Sequence, residues 1–449
     1  MYRDIYKDLK RWKDDPYRKP LLLTGVRQCG KTYAVSWFAR EDFPGFVYVN
    51  FEQSPNLSAI FDYDLDVKRI LSELERFLAV RIVPGETLVF FDEIQACPRA
   101  ITSLKYFCED MPSLHVIGAG SLLEVVLNRD GVSFPVGKVD RLSMFPMNFR
   151  EFCIACGRDK FVGALEGWPA DRPVPGLYDD PMKKLLRDFY IVGGMPEAVS
   201  VWLETGSYDR VEKVQRDILD GYSDDFSKHA PVSEVPRIRW IWDSVPVQLA
   251  KENNKFVFSH VREGKRSAQL EDALQWLTYA GLIVPSYLVE KPQLPLSGFA
   301  DRTYFKVYMS DIGLLRARCG LSARSVLEES GAYSVFRGAL AENYVFNELR
   351  AAGKEAYFWR SGNSAEVDFL FSGEAGIVPV EVKAADNTQA KSYRLFCRKY
   401  SPRIGFKLSG KNMSCNDIEG TRTFSIPLYM AWALDRYMPD ASGAEDRER

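Results

Sequence analysis

Residues 21–32 read LLLTGVRQCGKT: three apolar residues, a turn, then Gly-Lys-Thr. The spacing Gly25-x-x-x-x-Gly30-Lys31-Thr32 is that of a loop that wraps backbone N–H groups around a polyanion. Glycine is required where a Cβ would crowd that turn. Gly25, Val26, Arg27, Gln28, Cys29 and Gly30 would then line the phosphates. Lys31 would reach the β- and γ-phosphates, and the Thr32 hydroxyl would take a Mg²⁺ ion. The flanks agree with this reading. Leu21-Leu22-Leu23 reads as a short buried strand, and TYAVSWFAR (32–40) as a helix whose N-terminus faces the anion.

A second stretch supports the first. TLVFFDEIQ (87–95) is a continuous apolar run ending in Asp92-Glu93, as expected of a central parallel strand with acids at its carboxyl tip. Asp92 would order Mg²⁺, and Glu93 would act as general base on the attacking water. GFVYVNFE (45–52) and SLHVIGAGS (113–121) read as two further strands, with amphipathic helical segments such as DLDVKRILSELERFLAV between them. This alternation predicts a parallel sheet with right-handed crossovers and its ligand at the strands' carboxyl ends.

GVRQCGKT, FFDEIQ and VIGAGS together resemble the AAA+ superfamily, in particular prokaryotic ATPases related to signal-transducing ATPases. The resemblance implies ATP as nucleotide and places Ser121 as the sensor beside the γ-phosphate. It also implies that Gly194-Met195-Pro196 is a lid element, with Pro196 near the adenine. Relatives often carry Gly-Arg after the sensor, where this chain has Gly137-Lys138. The arginine finger is therefore unassigned, and Arg141 is the candidate.

Composition sets bounds. The 449 residues are 46% hydrophobic and 27% charged with a net charge of −2, as in an ordinary globular protein of two to four domains. Any nucleic-acid surface must then be local. The start, MYRDIYKDLKRWKDD, has no apolar stretch fit for a signal peptide, and no run of 18 apolar residues occurs. Eight scattered cysteines suit a reducing cytoplasm. Cys153 and Cys156 form a lone C-x-x-C with no second pair or nearby histidine, so zinc or redox chemistry is not expected there. His115, His229 and His260 are far apart and suggest no metal cluster.

In the middle of the chain, helix-like segments (IRWIWDSVPVQLAKENN, SAQLEDALQWLTYAGLI) precede strand-like ones (IVPSYLV, YFKVYMSD). Helices followed by a two-stranded ribbon suit a winged helix. Lys255, Arg262, Lys265 and Arg266 lie just before the second helix, placed to contact phosphates or simply to be solvated.

The second informative stretch is AEVDFLFSGEAGIVPVEVKAAD, residues 365–386. EVDFLF and VPVEVK alternate with period two around turn residues, predicting a hairpin. A loop over 373–376 puts Asp368 opposite Glu381 and Glu366 opposite Lys383, all on one face. Val367, Phe369, Phe371, Val378, Val380 and Val382 share the other face. In the helix-like SVFRGALAENYVFNELR (334–350), Glu342 falls inside the stripe of Val335, Ala339, Val345, Phe346 and Leu349. A carboxylate there is costly without a partner, and a shared metal ion would provide one. Glu342, Asp368 and Glu381-Val382-Lys383 resemble the PD-(D/E)xK nuclease superfamily. That resemblance implies Mg²⁺ held by Asp368 and Glu381 with help from Glu342 and the Val382 carbonyl, and Lys383 as the catalytic cation. Lys391, Arg394, Arg398 and Lys399 follow as a plausible backbone-contacting helix.

The expected architecture is thus an α/β P-loop AAA+ core (1–165), a helical lid (166–228) and a winged-helix-like domain (229–325). A restriction-endonuclease-like α/β domain (326–437) and a disordered tail (438–449) complete it. The expected function is a cytoplasmic Mg²⁺-dependent ATPase whose nucleotide state controls a DNA-facing nuclease-like module, with RNA and an oligomer both open. The alternatives are a nucleotide-switched DNA- or protein-binding module without cleavage, and a ring-forming remodeller.

Overall fold

The computed structural model describes residues 1–127, 134–249, 255–262, 267–362, 365–384 and 391–438. The chain forms two compact units, Met1–Pro146 with Trp276–Leu282, and Met147–Gln275 with Ile283–Arg449.

The first unit is built on five parallel strands: β1 (Leu21–Thr24), β2 (Gly45–Asn50), β3 (Thr87–Asp92), β4 (His115–Ala119) and β5 (Asp140–Ser143). Their order is β2-β3-β4-β1-β5. Every residue of β3 and β4 is buried, which is why those segments read as unbroken apolar runs rather than as alternation. The helix Val67–Leu78 lays Val67, Ile70, Leu71 and Leu74 onto the core, starting at Asp66, whose side chain accepts the Arg69 N–H. Thr24, Asp92 and Ala119 end β1, β3 and β4 side by side. The loop chemistry singled out in the sequence is thus gathered at one edge of the sheet.

The second unit opens with helices and closes with a mixed sheet. Its strands are β6 (Ile283–Val289), β7 (Ala300–Met309), β8 (Tyr357–Ser361), β9 (Ala365–Gly373), β10 (Gly376–Val382), β11 (Ile404–Ser409), β12 (Ser414–Ile418) and β13 (Thr421–Pro427). They form one eight-stranded sheet, ordered β12-β13-β11-β10-β9-β8-β6-β7. The ribbon expected of a winged helix, β6–β7, is therefore the far edge of the C-terminal sheet, joined where Leu288 pairs with Phe358. The β9–β10 hairpin keeps the expected register, with Gly373 paired to Gly376 and Phe369 to Val380. Only Glu374 and Ala375 lie between the strands, a tighter turn than the four residues expected.

The helix Gly331–Ala351 carries Glu342. Its apolar stripe differs at one end from the sequence reading. Ala339, Val345, Phe346 and Leu349 are buried, but Val335 is 65% exposed. The helix packs through its later turns, where Phe346 lies 5.9 Å from Phe369 and stacks on Tyr308 at 4.3 Å. Among the described residues no helix is long and apolar enough to cross a membrane. Lys265, Arg266 and the tail beyond Met438 lie outside the described residues.

Candidate functional site

The loop between β1 and the helix Lys31–Asp42 takes three turns that ordinary residues avoid. Gly25 has φ +148°, Gln28 φ +65° and Gly30 φ +96°. A Cβ on Gly25 would lie 2.2 Å from the Met144 carbonyl oxygen, so only glycine fits. The loop is pinned from below. Buried Arg3 donates to the Cys29 carbonyl at 2.8 Å and to the Phe145 carbonyl at 2.6 Å. Lys31 is 6% exposed, and its ammonium donates to the Gly25 and Val26 carbonyls at 2.8 and 3.0 Å. The cation lies within the loop it closes, and Gly30 starts the helix without a side-chain cap. Open amides at a helix start attract anions.

Across the sheet edge, the Thr32 hydroxyl donates to Asp92 Oδ2 at 2.8 Å, and the Tyr48 hydroxyl reaches the same oxygen at 2.9 Å. Asp92 is 2% exposed. Burial pushes its carboxyl above the ordinary value, against the Thr32 and Tyr48 hydrogen bonds that favour the anion. A buried carboxylate beside a threonine hydroxyl is a pair of hard oxygen donors, and it fits Mg²⁺. Glu93 sits in the left-handed region at φ +48°, which turns it out of the strand line. Its carboxylate accepts from Gln95 Nε2 at 2.6 Å. Ser121 is buried just past β4. The fold therefore gathers Lys31, Thr32, Asp92, Glu93 and Ser121 at one sheet edge. Tyr48 and Gln95 were missed in the sequence. Tyr48 lies two residues before the end of a strand adjacent to β3, a signal that depends on knowing the strand order.

Lys138 pairs with Glu109 at 2.9 Å, and Arg141 stands 3.6 Å from Glu124 and over the Phe134 ring. In the second unit, Pro196 begins the helix Pro196–Thr205. The Gly194 N–H before it donates to Asp311 Oδ2 at 2.6 Å, and a Cβ on Gly194 would lie 2.0 Å from the Met147 carbonyl oxygen. The Gly-Met-Pro element is thus held from within its own unit. Burial pushes Asp311 up to about 6 even though it accepts backbone N–H bonds.

The second candidate centre is in the C-terminal sheet. Asp368 Oδ2 accepts the Val382 N–H at 2.7 Å, and Lys383 Nζ lies 2.7 Å from Glu381 Oε1. Glu381 Oε2 is buried without a hydrogen-bond partner among the described residues. Burial, then the Glu381 and Glu342 carboxylates, push Asp368 well above the usual carboxylate range. Burial also raises Glu381, against the pull of Lys383. Burial opposes the Lys383 ammonium, but Asp368 and Glu381 outweigh it and hold its pKa above the usual value.

Glu342 has a partner that the sequence reading did not foresee. Lys306, 1% exposed on β7, lies 2.8 Å from Glu342 Oε1 and 2.6 Å from Glu366 Oε1. Tyr308 also donates to Glu342. The inference that buried Glu342 calls for a metal ion is therefore corrected: an ammonium meets its charge. Among the described residues no group of three or more His, Cys, Asp and Glu side chains is arranged to hold a metal ion. Glu381, beside Asp368, retains an orphaned oxygen a cation would satisfy, while Glu342 is engaged. Lys306 was missed because it lies on a strand assigned by its pattern to another domain.

The flanking cations are partly occupied. Lys255 lies over the Tyr304 ring and Arg262 over Trp240. Arg398 forms a two-pronged pair with Glu419, Lys399 lies over Tyr400, and Lys391 and Arg394 are exposed. For Cys153 and Cys156, burial raises both thiols, Cys156 to about 11.

Residues 17–153 match an AAA domain. The first unit thus carries a nucleotide-binding domain of the ATPase type. Residues 183–325 and 337–429 match two domains of unknown function, DUF8612 and DUF4143. No curated protein matches the chain. Among solved structures, the chain is similar to the Walker-type ATPase of Pyrococcus abyssi at 16% identity and TM-score 0.43, over 70% of this chain and 95% of that one. It is similar to the Aeropyrum pernix ORC2 protein in its ADPNP–ADP complexes at 13% identity and TM-score 0.38, over 76% and 96%. A Pyrococcus horikoshii signal-transduction ATPase with a tetratricopeptide repeat sensor gives 13% identity and TM-score 0.27, over 78% and 47%.

Proposed function

We propose that the chain is an ATP- and Mg²⁺-dependent ATPase whose nucleotide state governs a nucleic-acid-facing C-terminal module. The observation that carries the first half is the 2.8 Å contact between Thr32 and Asp92, at the mouth of a loop closed by Lys31. In this reading, the loop amides and Lys31 hold the β- and γ-phosphates. Thr32 and Asp92 hold Mg²⁺, which when bound offsets phosphate charge. Glu93 accepts the proton of the attacking water, released from Gln95 as substrate enters, and Ser121 hydrogen-bonds near the γ-phosphate. Pro196 as an adenine neighbour and Arg141 as a finger belong to the same proposal. ATP binding and turnover measured on Lys31→Ala test it. Unchanged affinity and rate in that variant would reject the assignment.

For the C-terminal module, Asp368 and Glu381 would hold a divalent ion and Lys383 would stabilise charge at the scissile phosphate, with DNA as the preferred partner. Cleavage of single- and double-stranded DNA with Mg²⁺ or Mn²⁺, lost in Lys383→Ala, is the expected result. A second reading, a nucleotide-switched binder without cleavage, is favoured by one observation. Lys306 already pairs with Glu342 and Glu366, leaving Asp368 and Glu381 of the four carboxylates for a metal. DNA binding without cleavage under any metal condition would select it.

A further inference from the structure

The second unit holds a cavity of about 240 Å³ that neither the phosphate loop nor the carboxylate cluster uses. Its place follows from the sheet. Strands β10, β11 and β13 are neighbours and run parallel, so their carboxyl ends open on one edge. Ala384 follows β10, Ser409 and Gly410 close β11, and Leu428 follows β13; all four line the cavity. Parallel sheets take ligands at this edge, because the strand ends and loops there leave a crevice with open backbone groups. Most of the remaining wall comes from the helices Gly176–Val192 and Gly331–Ala351, with Glu329 and Tyr429 beside them.

The lining selects a chemical class. Lys183, Arg187 and Arg337 are its cations and Glu329 its acid. Lys183 is held by Asp179 at 2.7 Å, whereas Arg337 stands 3.7 Å from Glu329, beyond hydrogen-bond length. Exposed Arg187 has no ion pair in the described residues. Tyr190, Tyr333 and Tyr429 supply an aromatic wall, and the buried Tyr190 hydroxyl has no hydrogen-bond partner among the described residues. Two guanidinium forks with little local competition match a dianionic phosphate, and tyrosine faces suit the apolar side of a sugar ring. The volume equals that of about eight waters, enough for roughly a dozen heavy atoms.

We propose that this cavity binds a sugar phosphate, with Arg187 and Arg337 on the phosphate and the tyrosines against the sugar. The ester is either free or the 5′-phosphorylated end of a nucleic-acid strand, which presents the same chemistry. No phosphate-loop residue takes part, so the site stands or falls apart from the ATPase reading.

The test is calorimetric titration of the full chain at low salt with ribose 5-phosphate and with ribose. Ribose 5-phosphate is expected to bind and ribose not to. Arg187→Gln and Arg337→Gln should each weaken binding about tenfold or more, the loss expected for one charge-assisted hydrogen bond. Lys31→Ala should leave it unchanged. Arg187 is exposed, so its replacement removes no core contact. A 5′-phosphorylated dinucleotide that binds more tightly than ribose 5-phosphate assigns the strand end, and the reverse order assigns the free ester. Absence of phosphate-dependent binding overturns the proposal. So does binding that survives in both arginine variants, or that disappears in Lys31→Ala.

Discussion

Replacing Lys306 with methionine keeps the length of the side chain and removes its charge. The wild-type ammonium is 1% exposed and sits 2.8 and 2.6 Å from the Glu342 and Glu366 carboxylates. These two acids do not lose equally. Glu366 is 28% exposed at its side chain and can turn to water, whereas Glu342 is 10% exposed and keeps the Tyr308 hydroxyl bond. Stranding one charge of a buried pair costs about 3–5 kcal/mol, and the surviving Tyr308 bond puts this case near the lower end. With a urea dependence of about 1–3 kcal/mol per molar, the loss should move the midpoint of the second unit down by roughly 1–3 M. Native-state hydrogen exchange by mass spectrometry is the better assay, because it reads the sheets separately. Peptides from β7, β9 and β10 should lose protection, and those from β1 to β5 should not. Adding Glu342→Gln to Lys306→Met should recover most of the loss, since an amide needs no counter-ion. A loss below about 1 kcal/mol, or an equal loss in both sheets, would refute the claim that Lys306 supplies the counter-charge to Glu342.

Further outcomes follow from the same geometry. Glu93→Gln should slow ATP hydrolysis about 10²–10⁴-fold while nucleotide binding persists, as judged by single-turnover rates beside a binding titration. Gly25→Ala should abolish nucleotide binding, because the new Cβ would lie 2.2 Å from the Met144 carbonyl oxygen and φ is +148°; wild-type affinity in this variant would contradict the loop geometry. Asp311 is raised to about 6 in the fold from 3.8, so the folded state holds the proton more tightly than the unfolded chain. Its contribution is present below pH 3.8 and is lost as pH rises through about 6. Wild type should therefore lose stability relative to Asp311→Asn as pH rises from about 4 to about 6, and parallel pH profiles would exclude the effect. Burial lowers His115 to about 4, so its contribution is present above 6.5 and lost as pH falls through 4. His115→Phe should flatten that acid limb in thermal melts.

Local pattern carried much of the candidate chemistry. The glycine spacing of 25–32, the buried run into Asp92-Glu93 and the period-two alternation of 365–383 each depend on neighbours in sequence, which set backbone conformation and which face a side chain occupies. The observed register of β9 and β10 is the one the alternation required. The stripe placed Glu342 inside the core but extended it one turn too far, because the first turns of the helix leave Val335 exposed while the later ones are buried.

Strand partners were decided only in three dimensions. Periodicity specifies that β6 and β7 are strands, but no local feature states which sheet they join. That choice rests on hydrogen bonds and apolar area shared by segments tens of residues apart. By adding β7 to the edge of the C-terminal sheet, the tertiary structure delivers Lys306 to Glu342 and Glu366. The same pairing of distant segments brings Tyr48 to Asp92, Asp311 to Gly194, and the carboxyl ends of β10, β11 and β13 around one cavity. Sequence thus determined which residues were equipped for chemistry. Long-range packing decided which charges meet a partner, because the cost of burying a charge is set by whatever the fold places beside it.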